Sequence, residues 1–168
     1  VQILPPLPND KPSMGFFCRR KMDTKYIYEI LTKDITSFGY YIWGIEFFGR
    51  QTNQTLRIYI DSEKGISIED CEKVSKHVIK VLDAENDFSS KYLLEVSSPG
   101  LDRKFFFNEQ YEGYINSDLK VKFMNDSGSK QSFQGELTKV TPSDLFLESD
   151  KESVKVPFSS IIQANLIM

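Results

Sequence analysis

Residues 93–103 of this chain read LLEVSSPGLDR, and the whole fold is organised around them. The stretch begins as the end of a strand, because its residues alternate in polarity and are partly β-branched. Pro99 fixes φ near the value needed at the second position of a turn, and Gly100 supplies the positive φ of the third, so the pair predicts a type II turn. An α/β pattern precedes this turn and an all-β pattern follows it. The sequence therefore predicts one domain over residues 23–100 and another over residues 101–168.

The first domain is predicted to open with a helix and two strands. Apolar residues recur at helical spacing from Asp23 or Thr24 to about Ser37. The next strand, Tyr40–Phe48, is expected to place one set of side chains on one face and Gly44 and Glu46 on the other. That first set is Tyr41, Trp43, Ile45 and Phe47. Aromatic residues at this spacing favour a core face over an exposed stacking platform. A second strand follows over residues 56–61, where apolar and polar residues alternate.

A second helix and a third strand complete this domain. Ser67 and Asp70 have the spacing of a capping box, in which each side chain bonds the backbone N–H of the other. The strand Tyr92–Val96 comes after this helix, and a strand–helix–strand order predicts a right-handed parallel crossover. The predicted fold of the first domain is therefore α+β, in the order αββαβ, with the helices on a three-stranded mixed sheet.

The second domain is predicted to be all-β. Asn108 can cap a short helix that runs through Tyr114, and turn signals then separate five strand candidates. These strands are Leu119–Met124, Ser132–Val140, Leu145–Glu148, Ser153–Pro157 and Ile161–Ile167. A short helix followed by five strands predicts a small Sm-like barrel.

Composition limits the possible classes of function. Of the 168 residues, 40% are hydrophobic, which excludes general disorder. No apolar run approaches the ~18 residues of a membrane span. Two cysteines are too few for a disulfide scaffold and favour a reducing compartment. Residues 23–100 carry nine basic and thirteen acidic side chains, and residues 101–168 carry eight and ten. An acidic globular part is better suited to a basic protein surface than to a nucleic acid.

Residues 1–22 differ from the rest in composition. They hold four of the seven prolines, which block helices and ladders, and four of their charged residues are basic against one acidic. We expect this segment to be a disordered extension, with Met14 or Met22 as the true start of the protein.

The sequence offers little for catalysis. His77 is the only histidine, and Cys71 is the only cysteine outside the first 22 residues. Six helical residues place them about 240° apart around the helix axis, so they cannot form a dyad. One histidine and one cysteine also fall short of a zinc site, and no glycine-rich phosphate loop is present. We therefore expect no enzyme, no metal and no cofactor.

Three ordered motifs resemble one known family. They are the run from Leu94 to Arg103, the helix start Gly65–Ser75 with Val81-Leu82-Asp83, and the pattern Gly-Tyr-x-x-Trp-Gly within Phe38–Phe47. Together they resemble the bacterial ribosome maturation factor family, RimP. The resemblance implies a cytoplasmic bacterial monomer that binds the immature 30S subunit, promotes its assembly and leaves the finished ribosome. It also implies that the direct partner is a basic small-subunit ribosomal protein near the decoding region, with a possible rRNA contact, and it supports a C-terminal Sm-like domain.

The alternative class is an Sm-like RNA-binding riboregulator. Sm-like barrels use an Asn-bearing loop and an Arg-Gly loop for single-stranded RNA, but the corresponding loops here, residues 149–152 and 158–160, are acidic or neutral. Five lysines on or beside predicted strands could still contact phosphate, although scattered lysines are usually only solvated. They are Lys120, Lys122, Lys130, Lys139 and Lys155.

The candidate contact site is the turn segment with one further acid. Its residues are Ser97, Ser98, Pro99, Gly100, Leu101, Asp102 and Arg103, together with Asp61. Two interpretations stay open. The segment is either a turn whose charged residues pair locally or a recognition edge between the two domains.

Overall fold

The computed structural model describes residues 23–50, 53–86 and 91–168. The prediction of a disordered extension over residues 1–22 lies outside these ranges, as do the proposed start codons. No helix among the described residues is both long and apolar enough to cross a membrane.

The first part of the chain has the predicted order αββαβ. Its elements are α1 (Thr24–Ser37), β1 (Tyr41–Arg50), β2 (Asn53–Asp61), α2 (Ile68–Asn86) and β3 (Tyr92–Ser97). The strands lie in the order β1-β2-β3, with β1 antiparallel and β3 parallel to β2. Both helices pack on one face of this sheet, where the fully buried side chains include Leu31, Ile58 and Val78. The predicted mixed sheet is confirmed.

Both helix starts follow from their capping residues. The Asp23 carboxylate accepts a hydrogen bond from the Tyr26 backbone N–H at 2.8 Å, which satisfies one of the free donors of the first turn. Ahead of α2, the Ser67 N–H donates to Asp70 Oδ2 at 2.9 Å, and the Asp70 N–H donates to Ser67 Oγ at 3.2 Å. This reciprocal pair is the predicted capping box.

One expectation about β1 is wrong. The pairing of β1 with β2 shifts register between Ile42 and Gly44, which marks a β-bulge. A bulge adds one residue to the strand and reverses the alternation of side chains beyond it. Ile45 and Phe47 therefore pack under the helices, whereas Trp43 joins the core of the second sheet.

The second part of the chain consists of a short helix and five strands. A 3-10 helix spans Asn108–Tyr114, and β4 (Asp118–Met124), β5 (Lys130–Val140), β6 (Asp144–Glu148), β7 (Ser153–Pro157) and β8 (Ile161–Leu166) follow. A second 3-10 helix, Phe158–Ser160, separates β7 from β8. The strands form one antiparallel sheet in the order β7-β6-β5-β4-β8. The five predicted strands are confirmed, but β7 and β8 do not pair, so the expected barrel is not closed by hydrogen bonds.

The free edge of β8 is partly covered by the linker between the two sheets. The Phe105 N–H donates to the Ala164 carbonyl at 2.9 Å, and the Leu166 N–H donates to the Arg103 carbonyl at 2.9 Å. Lys104 forms an isolated antiparallel bridge with Asn165. The linker thus acts as a short extra strand along β8.

Each sheet has its own hydrophobic core, and Trp43 connects them. The second core is built from β4–β8 and the 3-10 helix at residues 108–114, and Trp43 of β1 is 5% exposed within it. The division of the chain into two domains at residues 100 and 101 stays a prediction. Trp43 precedes that boundary in the sequence, but its side chain packs in the core formed by residues that follow the boundary.

Candidate partner-binding site

The candidate segment runs from the end of β3 to the covered edge of β8. Gly100 has φ of +74°, the positive value expected at the third position of a type II turn. Beyond the turn, Leu101 and Asp102 are exposed, and the chain then enters the linker. The segment is held at both ends by strand pairing, so the turn between them is fixed in place.

Arg103 is the central side chain behind this turn. Its guanidinium donates from Nη1 to Asp61 Oδ2 at 2.8 Å and to the Tyr114 hydroxyl at 2.9 Å, and from Nε to the Gly100 carbonyl at 3.2 Å. The same group lies 4.7 Å from the centroid of the Trp43 ring, a distance at which cation–π attraction operates. Arg103 therefore joins β1, β2, the turn and the 3-10 helix.

Asp61 is the buried partner of Arg103. The residue is 8% exposed, and a buried carboxylate is costly unless it is paired and hydrogen-bonded. Its Oδ1 accepts from the Ser62 N–H at 2.9 Å, and its Oδ2 accepts from the Tyr41 hydroxyl at 3.2 Å as well as from Arg103. The carboxylate is thus satisfied from within the protein.

A second set of contacts fixes the linker against β1. Trp43 Nε1 donates to the Lys104 carbonyl at 2.7 Å, and Gln110 Nε2 donates to the Trp43 carbonyl at 2.6 Å. The Phe106 ring covers Gly44 so closely that a Cβ atom on Gly44 would lie 2.0 Å from it. Only glycine fits at this position without displacing the ring.

The third contact is an ion pair beside the Phe106 ring. Lys104 Nζ lies 2.5 Å from Glu46 Oε2, and Glu46 Oε1 accepts from the Tyr59 hydroxyl at 2.9 Å. Burial raises the pKa of Glu46, but the hydrogen bonds from Lys104 and Tyr59 outweigh it and hold the pKa below its ordinary value. Glu46 is therefore charged at neutral pH and ties β1 to the linker.

These contacts separate the eight candidate residues into two groups. Ser98, Gly100, Leu101 and Asp102 are exposed, and Ser97 and Pro99 are half-buried. Leu101 is 68% exposed. Arg103 and Asp61 instead pair with each other inside the junction. The Arg103–Asp61 pair is not local, because the two residues lie 42 positions apart, and a contact edge formed by the remaining residues stays a prediction.

We call five exposed residues of this region the junction surface: Tyr41, Ser98, Gly100, Leu101 and Asp102. The ring of Tyr41 is 46% exposed, and its hydroxyl reaches the Asp61 carboxylate that also binds Arg103. A cleft of about 290 Å³ opens beside this surface and is lined by Pro99 and Asp102 together with Glu46, Lys104 and other residues of the junction. An exposed leucine and tyrosine with one carboxylate suit a protein partner with basic and apolar side chains.

The sequence did not indicate four residues of this site: Trp43, Tyr41, Gln110 and Tyr114. The bulge in β1 reversed the expected direction of Trp43, and bulges leave little trace in a pattern of period two. Gly44 was the available signal, because glycine inside a strand often marks a bulge or a close approach.

Cys71 and His77 make packing and pairing contacts within the first part of the chain. Burial raises the pKa of the half-buried Cys71 thiol, which packs against the first core. His77 Nε2 lies 2.8 Å from Asp34 Oδ2, and its ring meets Phe38 edge-on. Across residues 23–50, 53–86 and 91–168, no three His, Cys, Asp or Glu side chains are grouped so that they could hold a metal ion.

Comparison with known families identifies the first part of the chain. Residues 30–102 match the family model of the RimP N-terminal domain. The match starts within α1 and ends at Asp102, so it includes the second half of α1, the whole three-stranded sheet, α2 and the exposed segment after β3.

Proposed function

Because residues 30–102 are a RimP N-terminal domain, the chain belongs to the RimP family of ribosome maturation factors, and we propose that it binds the immature 30S subunit. The domain match is the observation that carries this proposal. The direct partner is a basic small-subunit ribosomal protein near the decoding region, and the factor promotes assembly and leaves the finished ribosome. It works as a monomer in the bacterial cytoplasm, without catalysis.

The charge of the folded part supports a basic partner. Residues 23–168 carry more acidic than basic side chains, and complementary charge steers a protein towards its partner. Asp102 adds a carboxylate to the junction surface, where it is exposed. The exposed Leu101 beside it supplies an apolar side chain that a protein partner can cover.

The fixed geometry of the junction supports a mechanism by selective binding. A factor that prefers one state of a particle shifts the population towards that state by its difference in affinity. A surface held rigid by the Arg103–Asp61 pair and by Trp43 loses little conformational entropy on binding. It binds more tightly to whichever state of the particle presents the matching surface.

The covered edge of β8 counts against the riboregulator alternative. A ring built by strand pairing needs two open edges on each copy. The linker residues Arg103 and Phe105 already bond to β8 at Leu166 and Ala164. That edge is consequently less accessible to a second copy, which favours a monomer.

Co-sedimentation with ribosomal subunits tests the proposal. The protein is mixed with immature small subunits, mature small subunits or large subunits and separated on a sucrose gradient. We expect it to migrate with immature small subunits and to bind the other particles more weakly. Equal binding to all three, or to none, would show that the proposal is wrong.

A pair of variants locates the contact. Leu101→Asp places a charge on the junction surface, and Leu93→Asp changes a matched leucine that is 57% exposed on β3. We expect the first variant to lose binding to the immature particle and the second to retain it. The same loss in both variants would remove the junction surface from the interface.

A further inference from the structure

The outward face of the second sheet brings together lysines that are far apart in sequence. β4 lies between β5 and β8, and its exposed residues alternate with buried ones. Lys120 lies between Gln134 and Asn165 in register, and Lys122 lies between Ser132 and Gln163. Lys130 follows in the next row, opposite Met124. We call the set Lys120, Lys122, Lys130, Gln134, Gln163 and Asn165 the lysine face.

The lysines of this face carry charge that no carboxylate in the described part of the chain neutralises. All three are exposed, and within the described part of the chain none of them forms an ion pair. Lys104 and Lys155 are paired, with Glu46 and Asp144, and what distinguishes the three lysines of this face is that they lie in adjoining rows of one sheet. In a chain with a net charge of −3, a local excess of free cations marks a surface for an anion.

Carboxylates mark the boundary of this positive surface. Asp118 and Glu136 are strand partners in the row beyond Lys120, and the Asp102 carbonyl accepts a hydrogen bond from Asn165 on β8. A groove of about 460 Å³ is lined by Lys120 and Lys122 together with Asp102. Carboxylates therefore border the cationic surface beyond Lys120 and beside Asn165.

The amides of the lysine face add hydrogen-bonding groups. Gln163 Nε2 donates to Asn165 Oδ1 at 2.7 Å, and Asn165 Nδ2 donates to the Asp102 carbonyl at 3.2 Å. Gln134 has no hydrogen-bond partner for its side chain among the described residues. Because side-chain amides both donate and accept, they suit a ribose 2′-hydroxyl, which does the same.

We propose that the lysine face binds the sugar–phosphate backbone of RNA in the maturing small subunit. Lys120 and Lys122 are two residues apart on one strand, ~6.6 Å along it, so they can reach consecutive phosphates of one RNA strand. The face has no aromatic ring for base stacking, so it holds the backbone without reading sequence.

RNA is a better candidate than an acidic protein because the proposed binding partner is a ribosomal particle. This inference rests on the proposed function, in which the junction surface meets a basic ribosomal protein. RNA is the abundant polyanion of such a particle, and phosphate contacts by lysines supply sequence-independent affinity. The factor would then hold a ribosomal protein with one surface and RNA with another.

The test is a titration of a fluorescein-labelled RNA hairpin with the full chain over a series of salt concentrations. Lys120→Glu with Lys122→Glu is compared with Lys33→Glu plus Lys80→Glu, which reverses two exposed lysines on the helices. Both double variants have the same net charge and keep residues 1–22, so the basic residues of that segment contribute equally. Circular dichroism confirms that each variant is folded.

The expected result is a shift in salt dependence. Each lost phosphate contact reduces the slope of log affinity against log salt by about 1. The slope should therefore fall by about 2 in the sheet variant, Lys120→Glu with Lys122→Glu. It should stay almost unchanged in the helix variant, Lys33→Glu with Lys80→Glu. Equal slopes in both variants would overturn the proposal. A sheet variant that binds the hairpin like the wild type but loses binding to an acidic ribosomal protein would also overturn it, in favour of an acidic protein partner.

Particle binding separates this inference from the proposed function. If the wild type and the sheet variant co-sediment equally with immature small subunits, the RNA contact is wrong and the proposed function stands. If the wild type binds no particle, the proposed function is wrong, and the hairpin titration alone decides the RNA contact.

Discussion

At the scale of single residues, Arg103 has the largest structural role. It contacts a carboxylate, a hydroxyl, a carbonyl and an aromatic ring, and only a fifth of its side chain is exposed. The sequence showed that an arginine followed the turn, but its partner could not be identified. Asp61 lies 42 residues earlier, and pairing over that distance depends on the tertiary fold.

Replacing Arg103 by Ala should destabilise the protein by about 3 kcal/mol. The substitution leaves the buried Asp61 carboxylate without its cation, and removing one partner of a buried ion pair costs about 3–5 kcal/mol. Urea denaturation measures the change. Asp102→Ala is the control, because Asp102 is exposed and such changes stay within about 0.5 kcal/mol. Equal stability of the two variants would contradict this role of Arg103.

Glu46 should make the stability of the protein depend on acid pH. Its pKa is lower in the folded state than its ordinary value, so its contribution is fully present above the unfolded pKa of about 4.3. That contribution is lost as the pH falls through the folded pKa. Urea denaturation between neutral and acid pH should show a smaller loss of stability in Glu46→Gln than in the wild type. An identical pH profile in the two proteins would exclude the effect.

At the scale of elements, the bulge in β1 determines how the two sheets meet. It turns Trp43 away from the helices, and Gly44 beside it accepts the Phe106 ring. Without the extra residue, Trp43 would share a face with Ile45, as the sequence pattern suggested.

Gly44→Ala should destabilise the protein by about 1–3 kcal/mol, the usual cost of overpacking a core. The new methyl group would collide with the Phe106 ring. Gly113→Ala is the matched control, because a Cβ atom there meets nothing within 4 Å. Thermal unfolding followed by circular dichroism compares the two. A larger loss of stability for Gly113→Ala than for Gly44→Ala would be inconsistent with the structure.

The elements themselves were largely predictable, because their signals are local. The capping box at Ser67 and Asp70 and the alternation in β4 require only neighbouring residues. The direction of Trp43, the burial of Asp61 and the open β7–β8 seam depend on distant contacts. A single sequence does not record these, so the positive φ of Gly100 was expected while the network that supports the segment was not.

At the scale of the whole molecule, the two sheets should unfold together. Trp43 belongs to β1 but lies in the second core, and Arg103 bonds to both sides of the junction. Because Trp43 is the only tryptophan, its fluorescence reports on the junction alone. We expect its urea transition to coincide with the loss of far-ultraviolet circular dichroism. Two separate transitions would mean that the sheets are independent.

The most direct test of the account is a photocrosslink from the junction surface. A photoreactive amino acid is placed at Leu101, which is exposed on the fixed turn, and at Lys33 on α1 as a control. With immature small subunits, position 101 is predicted to crosslink to a basic small-subunit protein, and position 33 is not. A crosslink pattern that is the same at both positions, or the absence of any small-subunit product from position 101, would contradict the account.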